Sequence, residues 1–135
     1  MSEKLVKEWI AKAEDDYKTA LTLNRQRKHK LPNPICFHCQ QCIEKYLKAF
    51  LVYNKFKPPR THDLRKLNDI AVSFDSSLNN IYNLLEQLNP YSVEFRYPGD
   101  SATLKEAKQA VQAMKKAREI LIKKFAGIKQ QKLWK

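Results

Sequence analysis

The chain has 135 residues, of which 43% are hydrophobic and only two are glycine. This length supports one domain with a single core, and the composition favours helices over disorder or a turn-rich all-β fold. No apolar run approaches the ~20 residues of a membrane span, and the N-terminal segment has no signal-peptide core. These features exclude a membrane-spanning protein and predict a cytoplasmic one.

The net charge of +12 is spread unevenly along the sequence. Residues 102–135 contain ten Lys or Arg and two acidic residues, whereas residues 51–101 are balanced. A further basic cluster near the N-terminal third comprises Arg25, Arg27, Lys28 and Lys30. This distribution is compatible with a polyanionic partner, and equally with a solvated lysine-rich helix face.

Helical periodicity predicts a first helix from about Glu3 to Arg25. Its apolar stripe comprises Leu5, Trp9, Ala13, Tyr17, Ala20 and Leu21. The acidic residues Glu14, Asp15 and Asp16 are expected to lie mostly off that stripe. Pro32 and Pro34 block continuation of the helix.

A second helix is predicted from about Ile35 to Phe56. Its stripe, Cys36, Cys39, Ile43, Tyr46, Leu47, Phe50 and Leu51, is too wide for packing on one neighbour. It indicates a central helix, or one that faces both the core and a second subunit. The spacing of Cys36, Cys39 and Cys42 formally allows a metal pair. Because the sequence offers no second cysteine cluster, we expect these thiols to pack in the core and predict no metal site.

The later elements are a short helix at about His62–Val72 with Thr61 as its N-cap, and a helix at about Ser77–Leu88. Residues 91–97 alternate apolar and polar side chains, which is typical of extended chain. Without a second strand candidate, we predict an ordered loop there. A fifth helix begins with Thr103 and Glu106 as a capping box and is expected to end at Gly127 as its C-cap.

These elements predict an all-α fold, an antiparallel up-and-down bundle of four long helices plus a short one. The bundle would span residues 1–127, and residues 128–135 would form a basic tail that frays. Arg118 falls on the apolar seam of the fifth helix. It should therefore reach the bundle edge or meet an acidic partner.

Six residues are candidates for binding a nucleotide. His38, Gln41 and Lys45 share one face of the second helix, where they could hold a phosphate or base edge, or could serve a helix–helix contact. His62 lies beside Arg60 at a helix start, which suits an anion, although it could instead fix the turn. Arg96 and Tyr97 suit charge pairing and stacking with a nucleotide, or could simply pack the bundle end.

Several short motifs, in this order and spacing, resemble those of prokaryotic HEPN domains, small helical bundles whose family name refers to nucleotide binding. The matching residues extend from about Leu5 to Phe125. They comprise Trp9, Ala13 and Asp16; Phe37-His38-Cys39-Gln40-Gln41 with Glu44-Lys45 and Leu47-Lys48; Thr61-His62-Asp63-Leu64; and Arg96-Tyr97-Pro98.

The resemblance implies a homodimeric bundle, frequently paired with a separate minimal nucleotidyltransferase in a two-gene toxin–antitoxin module. It also implies a nucleotide or RNA ligand, and we expect no cofactor. Many HEPN proteins are metal-independent endoribonucleases. Their motif is an Arg followed, after four to six residues, by a His, and both meet the partner subunit's pair across the dimer cleft.

The chain departs from that motif, because no His occurs beyond His62. Arg25 has His29 four residues later, but this pair follows the first helix rather than lying in the late helix. We therefore expect a non-catalytic or degenerate nucleotide- or RNA-binding subunit. The alternatives are an endoribonuclease that uses Arg96 with His62 or Tyr97 as the base, and a structural dimer without a specific ligand.

Overall fold

The computed structural model describes residues 3–93 and 99–128, and within these ranges the chain is helical without strands. The five α-helices are α1 (Glu3–Asn24), α2 (Pro32–Tyr53), α3 (Leu64–Val72), α4 (Tyr82–Leu88) and α5 (Leu104–Ile122). Short 3₁₀ turns at Ser76–Ile81 and Asn89–Tyr91 flank α4. The predicted all-α bundle is confirmed. The predicted 91–97 loop lies mostly outside the described residues, as does the predicted tail apart from Ile128.

Helix α2 is the centre of the bundle. It packs mainly against α1 and α5 and also against α3, so that residues on nearly all of its sides are buried. The apolar width of α2 is therefore accounted for within one chain, and gives no separate support for a second subunit. Cys36, Cys39 and Cys42 are fully buried on this helix, as predicted.

The helix directions follow from contacts at the bundle ends. Helix α1 runs antiparallel to α2, since Trp9 lies against Lys48 while Asp16, further along α1, contacts the earlier α2 residues Lys45 and His38. Residues 54–63 then carry the chain back along the bundle, so α3 starts near Gln40, whose side chain donates to the His62 carbonyl. Helix α4 returns antiparallel to α3, since Arg65 at the start of α3 pairs with Glu86 and Asp69 further along α3 accepts from the Tyr82 hydroxyl. The return segment thus places His62 beside the middle of α2.

Three predicted helix starts need correction. The helix predicted from about Ser77 is a 3₁₀ turn over Ser76–Ile81, and α4 begins at Tyr82. Helix α2 begins at Pro32 rather than Ile35, because proline is tolerated in the first turn, where its missing N–H is not needed. The N-cap of α3 is Asp63 and not Thr61. The Asp63 carboxylate accepts from the Arg65 N–H at 2.9 Å, while the Thr61 hydroxyl accepts from the Asp63 N–H.

Of the acidic residues of α1 that were expected off the buried stripe, Asp15 is exposed as predicted, but the prediction was wrong for Glu14 and Asp16. Glu14 and Asp16 are buried, with 3% and 7% exposure, whereas Leu5 is 42% exposed. The buried stripe is instead Val6, Ile10, Ala13, Glu14, Asp16 and Ala20. The two carboxylates can be buried because cationic side chains of α2 and α5 pair with them.

At the C-terminal helix, the predicted capping box of Thr103 and Glu106 is confirmed. The predicted C-cap is wrong, because α5 ends at Ile122 and Lys123 caps it. Gly127 serves another purpose, since its N–H donates to the Tyr53 hydroxyl at 3.1 Å. No helix among the described residues is long and apolar enough to cross a membrane.

Candidate nucleotide-binding site

The first part of the site lies where α1 meets α2. The Asp16 carboxylate contacts His38 Nδ1 at 2.8 Å through one oxygen and Lys45 Nζ at 2.6 Å through the other. The Asp16 side chain is only 9% exposed, whereas about a quarter of the His38 side chain and of the Lys45 side chain remains accessible. One buried carboxylate therefore fixes two donors that lie about two helical turns apart on α2.

The second part is centred on Glu44, whose side chain is 4% exposed. His62 Nδ1 lies 3.1 Å from both Glu44 oxygens, and Lys48 Nζ lies 3.0 Å from one of them. The amides of Gln40 and Gln41 donate to the same carboxylate, at 3.2 and 3.3 Å. Glu44 thus organises four donors from α2 and from the turn before α3.

His62 is the most accessible donor of the set, with 65% of its side chain exposed. A carboxylate can only accept, so the contact with Glu44 assigns the Nδ1 proton to that bond. Nε2 then faces away from the carboxylate. A ring held in this way can present Nε2 to a ligand as an acceptor, or as a second donor once protonated.

The charges of the site largely cancel. Asp16 and Glu44 offset Lys45 and Lys48, so with neutral imidazoles the group carries no net charge. Lys48 also lies over the Trp9 ring, with Nζ 5.7 Å from its centroid. An anion would therefore be attracted by oriented hydrogen-bond donors more than by excess positive charge.

Of the six predicted residues, the structure brings His38 and Lys45 together on Asp16, and Gln41 and His62 together on Glu44. These contacts also join α1, α2 and the turn before α3. The residues therefore serve helix–helix contacts, as the alternative in the sequence analysis stated, whether or not they also bind a ligand. Arg96 and Tyr97 lie outside the described residues. Sequence reasoning did not identify Asp16 and Glu44 as the residues that hold the site. Their helical spacing from buried apolar residues was compatible with burial, but it did not identify the partners that make burial of a carboxylate favourable.

A separate buried ion pair stabilises the bundle without belonging to the site. Glu14 accepts two hydrogen bonds from Arg118, at 2.7 and 2.8 Å, and one from the Tyr46 hydroxyl. Burial and the bond to Glu14 both raise the pKa of Tyr46, so its hydroxyl stays protonated. Among the described residues, no group of three or more His, Cys, Asp or Glu could hold a metal ion.

Comparison with known proteins agrees with this description. A family model described as the HEPN domain matches residues 6–125. The crystal structure of an archaeal HEPN homologue resembles the chain with a TM-score of 0.65, at 20% identity, covering 91% of this chain and 98% of the homologue. At that identity the likeness shows the fold alone. No curated protein matches the chain.

Proposed function

Because the chain belongs to the HEPN domain family, we propose that it is a nucleotide- or RNA-binding subunit that does not cleave its ligand. We further propose that it acts in the cytoplasm as a homodimer together with a minimal nucleotidyltransferase, in a module of the toxin–antitoxin type. The ligand site would comprise His38, Gln41, Lys45 and His62, together with Arg96 and Tyr97, which precede α5 in the sequence.

One observation carries the binding proposal: two buried carboxylates hold the donors of one α2 face in fixed orientations. Long side chains such as lysine lose considerable conformational freedom when a ligand immobilises them. Here Asp16 and Glu44 have already ordered these donors. Ligand binding at this face would therefore incur a smaller entropic cost than binding at free surface lysines.

The absence of cleavage is proposed from the sequence. General acid–base catalysis of RNA cleavage needs a group that moves a proton at the reacting oxygen. The family's late His is missing after Arg96. Arg96 would then contribute to binding through its charge rather than to a catalytic pair.

Nucleotide binding is tested with fluorescent AMP and a labelled single-stranded RNA, titrated at moderate salt. His62→Ala combined with Gln41→Ala should weaken binding about tenfold, since two hydrogen bonds are lost. Lys66→Ala is the matched control, because Lys66 is exposed on α3 one turn away and should have little effect. Equal losses in both variants would contradict the proposed site.

A second candidate function, endoribonuclease, is favoured by one feature of the site. The buried Glu44 orients the exposed His62 ring through Nδ1, which is the arrangement that prepares Nε2 to act as a general base. Metal-free RNA cleavage that disappears in both Arg96→Ala and His62→Ala would replace the binding proposal by this one. A nucleotidyltransferase reading frame beside the gene would support the partner proposal.

A further inference from the structure

A second concave surface lies at the end of the bundle, away from the Asp16 and Glu44 clusters. Its volume is about 580 Å³, within the range of small-molecule sites, which is roughly 300–1,000 Å³. One wall is the segment that joins α1 to α2, and the opposite wall is the first turn of α5. We refer to it as the basic pocket, because Arg27, Lys30 and Lys108 line it together with His29.

The basic pocket carries an excess of positive charge among the residues that the structure describes. No acidic side chain lines it within residues 3–93 and 99–128. Within residues 3–93 and 99–128, Arg27, Lys30 and Lys108 form no ion pair with a carboxylate. This contrasts with Lys45 and Lys48, whose charges are offset by buried carboxylates. Three formal positive charges facing one cavity attract an anion at short range.

The floor of the basic pocket is apolar. Ile35 is fully buried and Ala107 is 2% exposed, while Leu104 at the rim is 58% exposed. His29, on the wall opposite α5, has a φ of 55°, in the left-handed region that non-glycine residues seldom occupy. The exposed Leu104 beside cationic side chains suits a ligand that has both an apolar part and an anionic group.

We propose that the basic pocket binds a phosphorylated nucleoside, with the phosphate at Arg27, Lys30 and Lys108 and the base against the exposed side chain of Leu104. This site is distinct from the α2 face, and it does not depend on the function proposed there. Free mononucleotide and one nucleotide of an RNA strand share this chemistry. The two sources are separated by experiment.

The three histidines of the chain make the test specific. His29 lines the basic pocket, whereas His38 and His62 lie at the α2 face. Imidazole NMR signals during titration with AMP therefore report the two sites separately. We expect AMP to shift the His29 signals, and adenosine, which lacks the phosphate, to leave them unchanged. Unmoved His38 and His62 signals would count against the proposed function only.

Affinity measurements complete the test. Arg27→Ala with Lys108→Ala should weaken AMP binding at the His29 signal by about tenfold or more, because two charged donors are removed. Lys12→Ala with Lys66→Ala, a pair of exposed lysines away from the pocket, should change it by less than about twofold. A short oligoadenylate that binds more tightly than AMP would assign the site to RNA, and the reverse order to free nucleotide. The proposal would be overturned if AMP left the His29 chemical shifts unchanged, or if adenosine changed them as much as AMP does.

Discussion

Glu14 of α1 and Arg118 of α5 form a two-bond ion pair inside the bundle, with nitrogen–oxygen distances of 2.7 and 2.8 Å. The guanidinium also stacks on the Tyr17 ring, 3.9 Å from its centroid. Burial alone would lower the pKa of Arg118, but the bond and charge of Glu14 outweigh burial and raise it. This pair ties the first and last helices of the bundle together.

We predict that Glu14→Gln destabilises the protein by about 3–5 kcal/mol, because the substitution leaves the Arg118 charge buried without its partner. Urea unfolding followed by circular dichroism measures the loss. The matched control is Glu86→Gln, which breaks the exposed pair with Arg65 and should cost about 0–1 kcal/mol. Equal losses in the free energy of unfolding would show that the buried pair stabilises the protein no more than the exposed pair does.

The cysteines should be unreactive in the folded protein. Burial, together with the charge of Glu106, raises the pKa of the Cys36 thiol to about 11. Burial also raises the pKa of Cys39 and of Cys42. At pH 8 we therefore expect negligible alkylation by iodoacetamide in native buffer, and modification of all three thiols in denaturant. Rapid labelling of the native protein would contradict the buried positions of these residues.

The N-cap of α3 should give a pH-dependent contribution to stability. The bond from the Asn89 amide lowers the pKa of Asp63 in the folded state, and the N–H groups of the helix start add to this effect. The ionised form of Asp63 thus stabilises the fold above the pKa of the unfolded chain, and this stabilisation is lost as pH falls through the lower folded-state value.

The comparison for this cap is Asp63→Asn, because asparagine caps helices about as well and does not titrate. We expect the free energy of unfolding of the wild type, relative to Asp63→Asn, to decline as pH falls below about 4. Urea unfolding across this pH range provides the measurement. A difference that stays constant with pH would show that Asp63 contributes as a cap without its charge.

The exposed lysines of α5 should control how RNA binding depends on salt. If these lysines contact phosphates, log affinity should fall by about 0.7 per neutralised phosphate for each unit of log salt. Lys115→Glu with Lys116→Glu should flatten this slope, whereas Arg96→Ala should weaken nucleotide binding and leave the slope nearly unchanged. Filter binding of labelled RNA across a range of salt checks both. A slope near zero for the wild type would show that the basic face serves solubility only.

The homodimer is tested in solution. In the structure, the apolar residues of α2 are covered by α1, α3 and α5 of the same chain. The dimer proposal therefore rests on the family alone, and it predicts a sedimentation coefficient that corresponds to two chains at high protein concentration. A strict monomer under those conditions would rule out this part of the account.

The helices could be predicted from the sequence because their signals are local. The capping box at Thr103 and Glu106, and the apolar period of α2, depend on residues within a few turns. The bounds of α1 were predicted correctly within one residue, at Glu3–Asn24 against the expected Arg25. These features need no knowledge of what the helix packs against.

The centre of the candidate site could not be predicted in the same way, because it depends on long-range pairing. The burial of Asp16 becomes favourable only when His38 and Lys45 arrive from α2, more than twenty residues later. Likewise, Glu44 is joined by His62 only after residues 54–63 have returned the chain along the bundle. Periodicity treats both carboxylates as polar residues that belong on the surface, and so it misplaced Asp16.

The central claim is that the α2 face binds nucleotide or RNA without cleaving it. The most direct measurement combines a binding titration of 5′-labelled single-stranded RNA with denaturing electrophoresis of the same samples. We predict saturable binding at moderate salt that weakens in His62→Ala with Gln41→Ala, and RNA that stays full-length throughout. RNA fragments that appear with the wild type and vanish with Arg96→Ala, or the absence of any binding, would contradict the claim.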